Sequence, residues 1–221
     1  REIIALQHKT DCVCSDFAIL VRANAQAAVF LQALKRAKVP FDYVASRGLY
    51  HEGIVLDVVA YLKLLDSYHE SEALYRVLTR EPFALPQPDL SAVLAFAKKY
   101  TLSLYEAVKK ITEVGLSQAG QGVVFSLLAS LEKHAEVART KPASEVYVRV
   151  VNDLGINARF VHPALVREAQ YLTALYKRLQ HFEQETSDTS LSGFLKYLSL
   201  ELEAGEEGAL PTDTEEGPET V

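Results

Sequence analysis

Apolar residues follow two different rhythms along this chain. Residues 17–21, Phe-Ala-Ile-Leu-Val, form a short unbroken apolar run, the pattern of a buried strand. With Asp16 and Arg22 at its ends, the run predicts a strand over residues 16–22. Asn24 follows as the N-cap of a helix over residues 24–38. Ala27, Phe30, Leu31 and Leu34 recur there at spacings of three and four and make one apolar stripe. Pro40 stops the helix, and Phe41 to Ala45 reads as a second short strand. Strand, helix and strand in so short a span predict a β-α-β unit with parallel strands. Two parallel strands are too few for a stable sheet, so the unit is expected to be incomplete, with its partner strands outside this chain.

After residue 50 the rhythm becomes helical throughout. Leu56–Leu65 places Val58, Tyr61, Leu62 and Leu65 on one face, and Glu70–Leu78 does the same with Leu74, Val77 and Leu78. The proline-rich stretch 81–89 reads as a loop whose Pro88 and Asp89 open a helix to about Tyr100. Ser103 with Glu106 three residues on is a capping-box pattern. Gly115, Gly120 and Gly122 mark residues 115–122 as a hinge or turn. A long helix then carries Val124, Leu127, Leu128 and Leu131 on one stripe. Helices over 144–154, about 164–185 and 191–202 follow, and the second of these has a wide stripe of Leu172, Leu175, Tyr176, Leu179 and Phe182. The expected fold class is mainly α: a short β-α-β unit at the N-terminus, followed by an all-helical domain.

Composition modifies this picture in few places. No run of about 18 apolar residues is present, the length a membrane-spanning helix needs. The chain starts at Arg1 and contains no methionine, which reads as a piece excised from a longer protein. Cys12 and Cys14 are too few for a zinc site and too close for a disulfide, and read as ordinary thiols of a reducing cytoplasm. The net charge of −6 is local. Residues 201–221 hold eight of the 29 acids and no base, leaving 23 bases against 21 acids elsewhere. Glu201, Glu203, Glu206 and Glu207 therefore read as a charged, solvated terminus. A body this close to neutral neither demands nor excludes a nucleic-acid partner.

Familiar catalytic patterns are missing from the sequence. It has no G-x-x-x-x-G-K-[ST] phosphate loop and no G-x-S-x-G elbow. The six histidines are scattered without H-x-x-x-H spacing, as surface or boundary residues are rather than metal ligands. Arg22 is the position with chemical interest. It is either a strand-end arginine in a surface ion pair, or a guanidinium that sets positive charge against a phosphate held elsewhere and stabilises its transition state.

The run DFAILVRANAQA, residues 16–27, resembles motif IV of superfamily 1 helicases of the UvrD/PcrA/Rep group, roughly D-x-A-[IV]-L-x-R-x-N-x-Q-[SA]. Later segments are similar to the same family in the same order. Residues 57–65 fit D-x-x-A-Y-L-[KR]-L-L, and residues 73–78 fit A-L-x-R-x-L. Residues 146–160, 166–184 and 190–207 resemble the helical insertion called 2B, and residues 215–221 resemble the approach to motif V. The resemblance departs from the pattern at two points. Val21 stands where the family often has an aromatic that stacks on adenine, and only Asp57 remains of the R-x-E-I-[KR]-D charges. Pro82, Phe83, Leu85, Asp89 and Leu90 are closer to the AddA/RecB-like branch.

The resemblance implies an ATP-dependent DNA helicase translocating 3′ to 5′, with this chain as a fragment of it. Residues 1–112 would be part of the RecA-like motor domain 2A, residues 113–212 the regulatory, duplex-contacting domain 2B, and residues 213–221 an acidic linker returning towards motif V. Arg22 matches the motif IV arginine that contacts the γ-phosphate, a catalytic and nucleotide-binding role, while Asn24 and Gln26 match motif positions without a fixed role. The turn at Gly155 and Ile156 is the candidate DNA contact, and equally reads as a simple helix C-cap. The resemblance implies ATP and Mg2+ as cofactors of the full-length protein and none for this fragment alone. It further implies a single-strand/duplex DNA junction as partner, possible protein partners through 2B, no membrane partner, and a cytoplasmic location. Without the Walker A, DExx, V and VI motifs, this chain alone is expected to be inactive. The competing reading is a non-enzymatic helical protein-interaction module.

Overall fold

The computed structural model describes residues 12–21, 24–41, 48–156 and 166–206, together with Ile3, Leu6 and Gly208. The chain divides into two compact units, one made of Arg1–Ser46 with Pro211–Val221, the other of Arg47–Leu210. Among the described residues the regular structure is helical and no strand is present, so the fold is mainly α.

In the first unit, Cys14–Asp16 forms a 3-10 turn and Asn24–Ala37 forms helix α1. Of the expected strand over residues 16–22, residues 16–21 are described and none of them is in a strand. Asp16 belongs to the turn, where its carboxylate accepts the Val13 N–H at 2.9 Å, and residues 17–21 follow without a ladder. Backbone amides form a strand only against a partner, and none of the described residues supplies one. The apolar run is correspondingly open, with Leu20 95% exposed and Ile19 38%. The second expected strand, Phe41 to Ala45, has only Phe41 among the described residues. Helix α1 buries Ala27 as its stripe predicts, but leaves Phe30 45% exposed.

The second unit holds nine helices among its described residues: α2 Gly53–Asp66, α3 Ser71–Leu78, α4 Gln87–Tyr100, α5 Leu104–Lys109, α6 Ile111–Val114, α7 Gln118–Ala138, α8 Ala143–Asp153, α9 Val166–Glu185 and α10 Leu191–Glu203. Helix α2 is the hub and packs against α3, α7, α9 and α10. Its sequence, GIVLDVVAYLKLLD, is apolar nearly all round, and Val55, Val58, Val59, Tyr61, Leu62 and Leu64 are all buried. Periodicity predicts one buried face; neighbours on several sides bury the rest. Each such side chain contributes about 1.5–3 kcal/mol. The core runs without a break from Leu49 to Leu198, so residues on both sides of position 112 share it.

Acids help fix several of the helix starts in this unit. Ser103 and Glu106 form the capping box predicted for α5. The α7 start is capped by Ser117, whose side chain accepts the Gly120 N–H at 3.1 Å. The buried Asp89 of α4 accepts the Ser117 N–H at 2.9 Å and its hydroxyl at 2.5 Å. Gly120 and Gly122 therefore lie inside a helix, not in the expected hinge, because Ser117 and Asp89 supply the partners its first turn needs. Of these three glycines only Gly115, at φ +75°, ends a helix. The α8 start is held likewise by Glu183 of α9, which accepts the Ser144 N–H at 2.7 Å and its hydroxyl at 2.8 Å. No described helix is long and apolar enough to cross a membrane.

Candidate functional site

The motif-like residues fall in the first unit. Arg22 lies outside the described residues, as does the side chain of Asn24, although the Asn24 backbone opens α1. Gln26 is exposed on the first turn of that helix. Among the described residues no group of three His, Cys, Asp or Glu converges as a metal site.

Gly155 and Ile156 close α8. Gly155 has φ +64° and donates to the Asn152 carbonyl at 3.0 Å, while the Ile156 N–H reaches back to Val151 at 3.1 Å. This pattern satisfies the last carbonyls of a helix and favours glycine at the left-handed position. The Ile156 side chain is 8% exposed and packs into the core. The turn presents Asn152 and Asp153 outward, with the Gly155 backbone half-buried beside them.

A polar network sits directly beneath this turn. Asp153, the last residue of α8, accepts from Lys133 at 2.6 Å, from Arg149 at 2.9 Å and from His134 Nε2 at 3.2 Å. The other ring nitrogen of His134, Nδ1, lies 2.8 Å from the Tyr61 hydroxyl. The hydrogen bond from Lys133 leads the effects that bring the Asp153 pKa down to about 2. Burial lowers the His134 pKa against the opposing pull of Asp153, and burial raises that of the Tyr61 phenol. A neutral imidazole fits this arrangement, with Tyr61 donating to Nδ1 and Nε2–H donating to Asp153.

His134 departs from the expected surface or boundary position, since its side chain is 1% exposed. The spacing holds the signal: position 134 continues the stripe of Val124, Leu127 and Leu131, and a histidine on that stripe faces the core.

The two helicase-like helical segments also meet. Arg76 of α3 donates through Nε to Asp57 of α2 at 2.6 Å and through its terminal nitrogen to the Gly53 carbonyl at 3.0 Å. A cleft of about 510 Å3 opens alongside, lined by Asp57, Tyr61, Thr79, Arg80, Leu154 and Ile156 among others. It places Asp57 of α2 and Leu154 and Ile156 of the α8 turn on one concave surface.

Over residues 1–211 the sequence matches the family of UvrD-like helicase C-terminal domains. The chain belongs to this family. Among relatives of this UvrD-like domain, the ATP-dependent DNA helicase PcrA of Bacillus subtilis strain 168 is 22% identical over 189 residues, covering 84% of this chain and 26% of that protein. DNA helicase II of Escherichia coli strain K12 is 20% identical over 199 residues, covering 87% of this chain and 28% of that protein. The PcrA of Leuconostoc citreum reaches 29% identity over a shorter stretch of 97 residues, covering 44% of this chain and 13% of that protein. The UvrD-like chain thus spans about a quarter of the length of the relatives aligned along most of it.

Proposed function

We propose that this chain is the part of an ATP-dependent, 3′-to-5′ DNA helicase that carries the motif IV arginine, Arg22, and the regulatory 2B insertion. The observation that carries this reading is the family match over residues 1–211, with relatives named as DNA helicases aligned along most of the chain. In the full-length protein ATP and Mg2+ would supply the phosphoanhydride and its charge-neutralising cation. Arg22 would place a guanidinium against the γ-phosphate, where charge develops in the transition state. Residues 16–22 would take up strand geometry when paired within the complete motor domain, restoring the β-α-β unit.

DNA at a single-strand/duplex junction is the proposed partner, with the Gly155 turn as a contact for the duplex backbone. The cations beside the turn support this. Lys133 and Arg149 share the single carboxylate of Asp153, leaving a local positive excess.

Two experiments test the reading. Arg22→Ala in the full-length protein should lower kcat for DNA-stimulated ATP hydrolysis by about 10²-fold while affecting nucleotide binding less; unchanged turnover removes Arg22 from the site. This chain by itself should hydrolyse no ATP, and measurable turnover would overturn its assignment as an incomplete motor.

A further inference from the structure

The helical unit is one stretch of chain, Arg47–Leu210, lying in sequence between the two segments that form the other unit. The polypeptide therefore passes into it near residue 47 and out of it near residue 210. Its incoming and outgoing segments touch each other. The Leu49 N–H donates to the Gly208 carbonyl at 3.2 Å. Gly208 adopts φ +75°, and a Cβ on it would lie 3.1 Å from both Leu49 Cβ and Tyr50 Cζ. The outgoing backbone is pressed against the incoming 3-10 turn, Leu49–His51, at a distance and backbone angle that favour glycine.

Three side chains reinforce this contact. The Tyr50 hydroxyl donates to Glu201 Oε2 at 2.5 Å and accepts from Arg178 Nε at 3.0 Å. Arg178 is ion-paired with Glu201 and lies over the Tyr197 ring at 5.5 Å. Tyr50 and the Glu201 side chain are largely removed from water, at 3% and 10% exposed, while the Arg178 side chain is 32% exposed. Glu201, expected in a solvated acidic terminus, is instead an interior partner.

Taking a carboxylate out of water costs about as much as its pairing contributes. Such a pair is better explained by the geometry it fixes than by net stability. Here it fixes two ends of chain separated by 151 positions.

We propose that Tyr50, Arg178 and Glu201 form a clasp that locks the incoming and outgoing segments of the helical unit to one another, so that both ends hold or loosen together. The clasp is a conformational device: it turns the fraying of either end into one cooperative event, and it keeps the two connections of the helical unit at a fixed separation.

Residue-resolved amide exchange on the full 221-residue chain tests this directly. Two amides report the two ends: that of Leu49, bonded to Gly208, and that of Glu206, bonded to the Glu201 carbonyl at 2.9 Å. Glu201→Gln keeps the shape and removes the charge, and should speed exchange at both amides at least tenfold, leaving the Leu90 amide of α4 unchanged. Tyr50→Phe keeps the ring and removes only the hydroxyl link, and should speed both by a common, smaller factor. Acceleration at one end alone, or at neither, overturns the proposal. So does an even acceleration across all helices, which would mark a loss of global stability instead.

Discussion

Asp89 and Gly120 are packed so closely that a β-carbon on Gly120 would lie 2.8 Å from Asp89 Cγ. The contact joins two helices distant in sequence: the α4 carboxylate reaches the first turn of α7, and the residue facing it has no side chain. Asp89 is 6% exposed and commits its oxygens to Ser117, so it cannot retreat without leaving a cap unmade.

Gly120→Ala should therefore destabilise the protein by about 1–3 kcal/mol through overpacking. Gly122, two residues on in the same helix, has open space for at least 4 Å around the position a β-carbon would take. Gly122→Ala should stabilise by about 0.5–1 kcal/mol through helix propensity. Thermal melts of the two variants check the pair, and equal shifts of the same sign would refute the packing argument.

The His134–Asp153 network predicts how stability depends on pH. The folded pKa of His134 lies below its ordinary 6.5, so as pH falls below about 6.5 the unfolded chain takes up this proton first and stability declines. The folded pKa of Asp153 is about 2 against an ordinary 3.8. Its contribution is complete above 3.8 and is lost as pH falls from there towards 2. Urea midpoints measured from about pH 8 to pH 5 should fall at the acidic end. In His134→Gln the decline below about pH 6.5 should be smaller; an identical slope would show that another group titrates.

Removing Arg76 should loosen α3 from α2. Arg76→Ala loses both the Asp57 and the Gly53 hydrogen bonds and should cost about 1–2 kcal/mol, reduced from the buried-pair range because both partners are partly exposed. Arg76→Lys keeps the charge without the forked geometry and should recover only part of the loss. Chemical denaturation distinguishes the three proteins, and full recovery by lysine would reduce the role of Arg76 to charge alone.

The α8 turn separates folding from any role with DNA. Ile156→Ala opens a cavity in the core and should cost about 2–4 kcal/mol. Gly155→Ala strains a left-handed backbone with free space around it, and should cost about 1 kcal/mol. Fluorescence anisotropy of full-length protein on a junction DNA would then show whether Lys133→Ala weakens binding without a matching loss of stability. If affinity falls only in step with stability, the turn is structural.

Helix positions are legible wherever a local signal decides them. The Ser103–Glu106 box, Pro88 in the first turn of α4, the Gly155 cap and the stripe on α9 all lie where short-range chemistry puts them. The strand over residues 16–22 is not legible in the same way, because an apolar run specifies burial, and only a partner converts burial into a ladder. Residues 115–122 differ from the expected hinge because glycine is ambiguous locally: Asp89, distant in sequence, makes the segment a helix start. His134 and Glu201 lie deeper than expected for the same reason, since each is a polar residue whose partners, Tyr61 and Asp153 or Tyr50 and Arg178, come from other elements.

The sequence by itself determined that the protein is mainly helical, where most helices begin and end, and the helicase family to which it belongs. These follow from periodicity, caps and motif order, which act over a few residues or are read in sequence. Tertiary structure alone decided that α2 is buried on several sides, that acids from distant helices cap α7 and α8, and that Tyr50 meets Glu201. Those outcomes depend on which surfaces meet. A carboxylate or an imidazole leaves water only when a partner on another element is already in place to receive it.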